Sequence, residues 1–203
     1  MILGLGTDNT LLLKKTVQAP WEKLGSRPPP LVAMIVLGNG VILGVGKDTT
    51  LWKQDLSGTY KQIPNSQGLK GGAVRGRLLL GLGVDNMLYE RSSFSLSTSW
   101  GKIANTGDVI SLAVMPDKKL LGVGTDNLLY TRSSPAAAAP WVQVPGSGAV
   151  KSVAVTPDGT LVGVGMDNVL YTRATLTSPW VQVPGSGPVV SVAAYPFACD
   201  ATG

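Results

Sequence analysis

Residues 161–184 read LVGVGMDNVLYTRATLTSPWVQVP, and one repeat upstream residues 120–145 read LLGVGTDNLLYTRSSPAAAAPWVQVP. Sliding this stretch along the chain finds an aspartate behind a Gly-x-Gly-x core at Asp8, Asp48, Asp85, Asp126 and Asp167, at intervals of 40, 37, 41 and 41 residues. Asparagine follows at Asn9, Asn86, Asn127 and Asn168, with Thr49 the exception. Leucine stands three beyond each aspartate, and the next residue is Trp52, Tyr89, Tyr130 or Tyr171, with Leu12 the exception. A second aromatic returns at Trp21, Tyr60, Trp100, Trp141 and Trp180, each followed three later by Leu24, Ile63, Ile103, Val144 or Val183. Agreement in so many columns at a period near 40 residues marks a repeat array, solenoid or propeller.

Inside each repeat the apolar runs are short, rich in β-branched residues, and separated by Gly, Pro, Asn and Asp, which predicts strands rather than helices. The most regular repeat reads as VKSVAV (150–155), a Pro-Asp-Gly turn, LVGVG (161–165), a Met-Asp-Asn turn, VLYTR (169–173) and WVQV (180–183). That is a four-stranded antiparallel meander, because Asp-Gly and Asp-Asn tolerate the left-handed backbone that tight hairpins need. The opening ILGLG lacks a first strand of its own, while VVSVAA (189–194) lacks a following one. Pairing the two gives every repeat four strands, protects the sheet edges, and predicts an all-β, five-bladed propeller spanning 1–203 as one domain. The third repeat departs most from the pattern, since GGAVRGR (71–77) puts two adjacent glycines and two arginines where the others carry an apolar strand. Gly163 and Gly165 are expected to leave one strand face bare for a close approach by the neighbouring blade, with Val162 and Val164 filling the other.

Composition narrows the chemistry. Histidine is absent, so no His base, His-ligated metal or ordinary catalytic triad can be built. The one cysteine, Cys199, makes neither an internal disulfide nor a zinc site. The recurrent aspartates fall one per blade, which a ring holds apart, so no enzyme activity, metal or cofactor is expected. The Gly-x-Gly cores sit in strands with no helix behind them, unlike a phosphate loop. Net charge is +5, and the basic residues are spread over turns and strand ends rather than clustered with aromatics, which argues against nucleic acid. No run of 18 apolar residues calls for membrane insertion, and Met1 leads into ILGLG, which reads as repeat rather than as signal peptide.

Each recurrent column has a structural and a functional reading. Asp and Asn form turns, or they hydrogen-bond a polar ligand. The tyrosines pack, or they offer hydroxyls, and Arg91, Arg132 and Arg173 are solvated or stacked on an aromatic, or they orient a ligand. The tryptophans staple the fourth strand, or they stack on the C–H face of a sugar. Loops between strands three and four, from QDLSGT through RSSFSLSTS to RSSPAAAAP, vary while the scaffold does not, as binding loops do.

The string PWVQVPGSG, followed by SVAV, PDGTLVGVGMDN and VLYTR, resembles the tectonin repeat of fish-egg lectins and slime-mould tectonins, and the repeat number and layout resemble the five-bladed tachylectins. This resemblance implies a lectin that binds N-acetylated amino sugars, GlcNAc or GalNAc, on glycans or glycoproteins at several equivalent sites without metal, and it leans toward an extracellular setting. The implied ligand groups are Asp85, Asn86, Tyr89 and Arg91, then Asp126, Asn127, Tyr130, Arg132 and Trp141, then Asp167, Asn168, Tyr171, Arg173 and Trp180. Gly146, Ser147, Gly185 and Ser186 join them as backbone-amide donors from the glycine-rich turns. Leu12, Thr49 and Gln54 break the motif, so not every blade need carry a complete set. The rival readings are a protein-interaction scaffold and a structural matrix propeller. Compartment and oligomeric state stay open.

Overall fold

The structure, a computed structural model, describes residues 1–25, 27–54, 59–92, 98–136 and 138–195. Cys199 and parts of the three variable loops lie outside the described residues.

The short apolar runs become strands of two to seven residues, gathered into five four-stranded antiparallel sheets. The first blade takes β1 (Ile2–Gly6), β2 (Leu11–Lys14) and β3 (Glu22–Lys23). In the second follow β4 (Leu31–Val36), β5 (Ile42–Gly46), β6 (Leu51–Gln54) and β7 (Tyr60–Gln62). The third holds β8 (Leu69–Arg75), β9 (Leu78–Gly83), β10 (Leu88–Ser92) and β11 (Gly101–Lys102). β12 (Val109–Val114), β13 (Leu120–Gly124), β14 (Leu129–Arg132) and β15 (Val142–Gln143) form the fourth. The fifth comprises β16 (Val150–Val155), β17 (Leu161–Gly165), β18 (Leu170–Arg173) and β19 (Val181–Gln182). Finally β20 (Val189–Ala194) pairs antiparallel with β1, Ile2 opposite Ala194 and Gly4 opposite Val192, so the first blade is completed from the far end of the chain.

The first strand of each sheet is innermost, and β4, β8, β12, β16 and β20 pack each against the next, with β20 returning to β4. This closes the five-bladed ring. The divergent third repeat still supplies its inner strand: a bulge between Leu69 and Gly71 lets Leu69 pack toward the second blade and Ala73 toward the fourth, and Gly76, at φ 62°, takes the left-handed turn position that Gly159 takes in the fifth blade.

Five apolar clusters fill the gaps between blades. In the gap between the fifth and first, Val162, Val164, Leu170 and Val183 meet Ile2, Val189 and Val192, with Trp21 packed against them. Thus Val162 and Val164 fill one face as the alternation predicts. The other face differs from expectation. A β-carbon on Gly163 would stand 2.9 Å from Trp180 Cη2, and one on Gly165 would stand 2.7 Å from Tyr171 Cε2. The bare face is therefore occupied by aromatic rings of the same blade, which then form that blade's surface toward its neighbour. The outer strand is also shorter than WVQV suggests: Trp180 leaves the ladder to lie on the glycine face, while the Val183 N–H still bonds the Leu170 carbonyl at 2.8 Å.

In the third, fourth and fifth blades a hydroxyl residue in the turn after the last strand ties the blade to the next. Ser147 Oγ accepts the Leu129 N–H at 2.9 Å and donates to the Val144 carbonyl at 2.6 Å, both within the fourth blade. Its own carbonyl then accepts the indole N–H of Trp180, in the fifth blade, at 3.2 Å. Thr106 performs the same service toward Trp141, and Ser186 does so toward Trp21 across the junction of the chain's two ends, at 2.9 Å.

Candidate ligand pockets

The turn between the second and third strands of each blade is built by its aspartate. Asp126 Oδ1 accepts the Leu128 N–H at 3.1 Å, and Asn127 sits at φ 63°, the left-handed conformation that Asn adopts more readily than other side-chain-bearing residues. The second carboxylate oxygen is then free to face outward, where it accepts the Tyr130 hydroxyl at 2.7 Å. The fifth blade repeats this with Asp167, Val169 and Tyr171, and the third with Asp85, Met87 and Tyr89. Bonds from Tyr130 and then from the Leu128 amide hold the Asp126 carboxyl below its ordinary range, and the same carboxylate raises the Tyr130 phenol.

In the fourth and fifth blades this pair opens onto a pocket. The fifth-blade pocket has a volume of about 310 Å³ and is lined by Gly148, Ala149, Met166, Asp167, Tyr171 and Trp180. Its counterpart in the fourth blade, about 330 Å³, is lined by Gly107, Asp108, Thr125, Asp126, Tyr130 and Trp141. Both volumes fall near the lower end of small-molecule sites, roughly 300–1,000 Å³. Each pocket is walled by one Trp and one Tyr ring and carries a carboxylate at its mouth.

The other blades are modified at the same place. In the third, Lys102 Nζ donates to Asp85 Oδ2 at 2.9 Å and lies 5.7 Å from the Tyr89 ring. In the second, Trp52 stands where the others have tyrosine, and its indole N–H donates to Asp48 Oδ1 at 3.4 Å. The first has Leu12 instead, so the Thr10 hydroxyl supplies the bond to Asp8 Oδ2 at 2.8 Å.

The tectonin-domain family profile matches residues 6–196. The chain belongs to the tectonin family. Among solved structures this tectonin ring is similar to PorZ, described as an essential bacterial surface component of the type-IX secretion system of Porphyromonas gingivalis, with a TM-score of 0.51 and 14% identity. The match covers 89% of this chain and 26% of PorZ, so it speaks to the fold alone. A search of curated proteins returns no match.

The tectonin pockets draw together part of the expected ligand set. Asp126, Tyr130 and Trp141 meet in one, and Asp167, Tyr171 and Trp180 in the other. The arginines are elsewhere. Arg132 is buried, its guanidinium 5.7 Å from the Trp141 ring and donating to the carbonyls of Asn105, Ser134 and Ala136. Arg173 lies likewise by Trp180 and donates to the Pro145 carbonyl, while Arg91 lies by Trp100 and donates to the Thr98 carbonyl. These three side chains sit behind the tryptophans and brace them, which corrects their reading as ligand contacts. Lys14 fills the same position beside Trp21 and donates to the Ala19 carbonyl.

Ser147 and Ser186, expected as backbone-amide donors, line neither pocket, and their hydroxyls are buried and bonded to the backbone of their own blades. Gly146 and Gly185 adopt φ 61° and 62° in exposed turns and line neither pocket. The Asn column connects repeats in the last two blades, where the Asn127 carbonyl accepts the Val150 N–H and the Asn168 carbonyl accepts the Val189 N–H, while the Asn86 side chain accepts from Lys70 within the third blade. What sequence spacing misses is the ownership of the linker. Gly148 and Ala149 follow the fourth blade in the chain yet line the fifth blade's pocket, and Gly107 and Asp108 line the fourth. The Trp180–Ser147 bond and its counterpart, Trp141–Thr106, are the physical reason, because they draw these two linkers onto the next blade's tryptophan. Among the described residues no group of three or more His, Cys, Asp and Glu side chains could hold a metal ion.

Proposed function

We propose that this tectonin propeller is a multivalent lectin for N-acetylated amino sugars, with its best sites in the fourth and fifth blades. The observation that carries the reading is the recurrence of one pocket, about 310 and 330 Å³, with the same Trp, Tyr and Asp in both blades. A pyranose has an apolar C–H face and a polar rim. Trp141 and Trp180 offer half-buried ring faces for the first, while the Tyr–Asp pairs offer a hydroxyl and a carboxylate for the second. A hydrogen bond already made between Tyr and Asp fixes both groups before the sugar arrives, so little side-chain entropy is lost on binding.

Shallow polar pockets desolvate hydroxyls for modest net gain, so single sites are weak and linkage multiplies them on a surface dense in sugars. Calorimetry with free N-acetylglucosamine tests this, with weak, similar sites expected and far tighter capture on a multivalent glycan surface. Val142 and Val181, exposed by 58% and 59% on the outer strands, favour the alternative of a protein-interaction scaffold. A glycan array with no binder, together with capture of one partner lost on Val142→Ser and Val181→Ser, would replace the lectin reading with that one.

A further inference from the structure

The two complete pockets share their aromatic walls but differ at two positions. Where the fifth blade has Ala149 and Met166, the fourth has Asp108 and Thr125. Position 108 lies at the lip: its carbonyl accepts the Thr125 N–H at 2.9 Å, and its backbone takes φ 71°, matched by Ala149 at φ 71°. The left-handed backbone conformation at this position is therefore shared by both blades, and the side chain it carries changes the chemistry. Asp108 and Asp126 give the fourth-blade pocket two carboxylates. The fifth has Asp167 alone, with the Lys151 ammonium near enough to act on that carboxylate, while the position equivalent to Lys151 in the fourth blade is the uncharged Ile110.

Resting on the lectin reading above, we infer that Asp108 is a specificity-determining residue: the fourth-blade pocket prefers a sugar bearing a free ammonium group, and the fifth prefers the neutral acetamido form. Two carboxylates at one mouth place a negative potential over the bound ligand, which a protonated amine meets and an acetamide does not. Met166, 57% exposed at the fifth-blade pocket, offers an adaptable apolar surface to the acetyl methyl instead.

The indole N–H signals of Trp141 and Trp180 report the two pockets separately in a ¹⁵N-labelled full chain. Each is titrated with N-acetylglucosamine and with glucosamine at about pH 6, where ordinary carboxylates are ionised. The neutral sugar is expected to shift both signals. Glucosamine is expected to favour the Trp141 pocket by about twofold to fivefold, the range of an exposed ion pair, and to lose that preference in roughly 1 M salt, where the Debye length is about 3 Å. Asp108→Asn should abolish the preference, and Ala149→Asp should install it at Trp180, since the left-handed backbone suits Asn and Asp better than Ala. Equal glucosamine affinity at both pockets, or a preference that survives Asp108→Asn, overturns the inference while leaving the lectin reading standing. Failure of N-acetylglucosamine and glucosamine alike to shift either indole overturns both.

Discussion

Trp180 lies on the bare face of Gly163, its Cη2 2.9 Å from the point where a β-carbon would stand, and Val150 Cγ1 closes the same space at 2.9 Å. Gly122 meets Trp141 and Val109 in the same way one blade earlier. Gly163→Ala therefore overpacks the blade. The expected cost is about 1–3 kcal/mol, a fall in Tm of roughly 2–12 °C for a chain of this size. Because the displaced ring also walls a pocket, thermal melts and ligand titration should worsen together. An unchanged Tm would mean that the tryptophan does not rest there.

Arg132 behind Trp141 makes a different kind of support. Three backbone carbonyls accept from its buried guanidinium, and removing it strands them. Arg132→Met, which keeps the stem's packing, should still cost about 3 kcal/mol, since hydrogen bonds to charged groups contribute about 1.5–3 kcal/mol each and not all of that is lost after relaxation. Chemical denaturation checks the cost. A direct ligand role predicts the opposite pattern, lost binding with stability intact.

Sequence spacing reads the scaffold well and the pocket walls only in part, and the reason is visible in these residues. Alternation puts Tyr130 and Arg132 on one strand face, which the structure bears out through their partners Gly122 and Leu120. Nothing in that alternation says that Trp141, nine residues beyond Arg132, folds back over the face and divides it into a buried half and an open one. Nor does linear order reveal that Ala149 belongs to the pocket of the blade that follows it, because the Trp180–Ser147 bond that draws it there joins residues 33 apart. Turn chemistry, in contrast, is local, so Asp126 and Asn127 were legible as turn formers from the start.

Thr49 is the one member of the asparagine column that is β-branched, and it sits at φ 66°. Its hydroxyl accepts the Gly68 N–H at 3.1 Å, so the position gains a bond while carrying backbone strain. Asparagine accepts the left-handed conformation at lower cost and can offer a side-chain oxygen in its place. Thr49→Asn should stabilise the fold by up to about 1 kcal/mol, measured as a rise in denaturation midpoint at unchanged m-value. A loss of stability would show that the Thr49 hydroxyl bond outweighs the strain.

The Asp–Tyr pairs set the pH response. Asp126 and Asp167 have folded values held below 3.8 by the tyrosine hydroxyl first and the turn amide second, so their contribution is complete above about pH 4 and is lost as pH falls through the depressed value. Tyr130 and Tyr171 are raised above 10.0 by the same bonds, so theirs is complete below about pH 10 and is lost as pH rises through the raised value. With no histidine in the chain, a plateau between these limbs is expected. In Tyr130→Phe the Asp126 carboxyl should titrate higher by ¹³C NMR, with Asp167 unmoved. An Asp126 titration indifferent to that substitution would contradict the pairing.

Ring closure separates this fold from an open array through the bond between Trp21 Nε1 and the Ser186 carbonyl, 165 residues apart. In an open array the terminal blade has one neighbour and frays first, so damage to it is local. In the closed ring β20 and β1 lie in one sheet whose inner strand packs against both β4 and β16, and no blade is terminal. Trp21→Phe should therefore destabilise the whole molecule about as much as Trp180→Phe does, with a single cooperative transition in both. Native-state hydrogen exchange should give the amides of Leu3 and Val192 protection comparable to that of Val123, all three being buried in their sheets. Deleting residues 1–14 should abolish cooperative unfolding altogether, because it leaves β20 without a partner. Early exchange confined to β1 and β20, or a shortened chain with the parent's Tm, would mean that the ring is not closed by this pair.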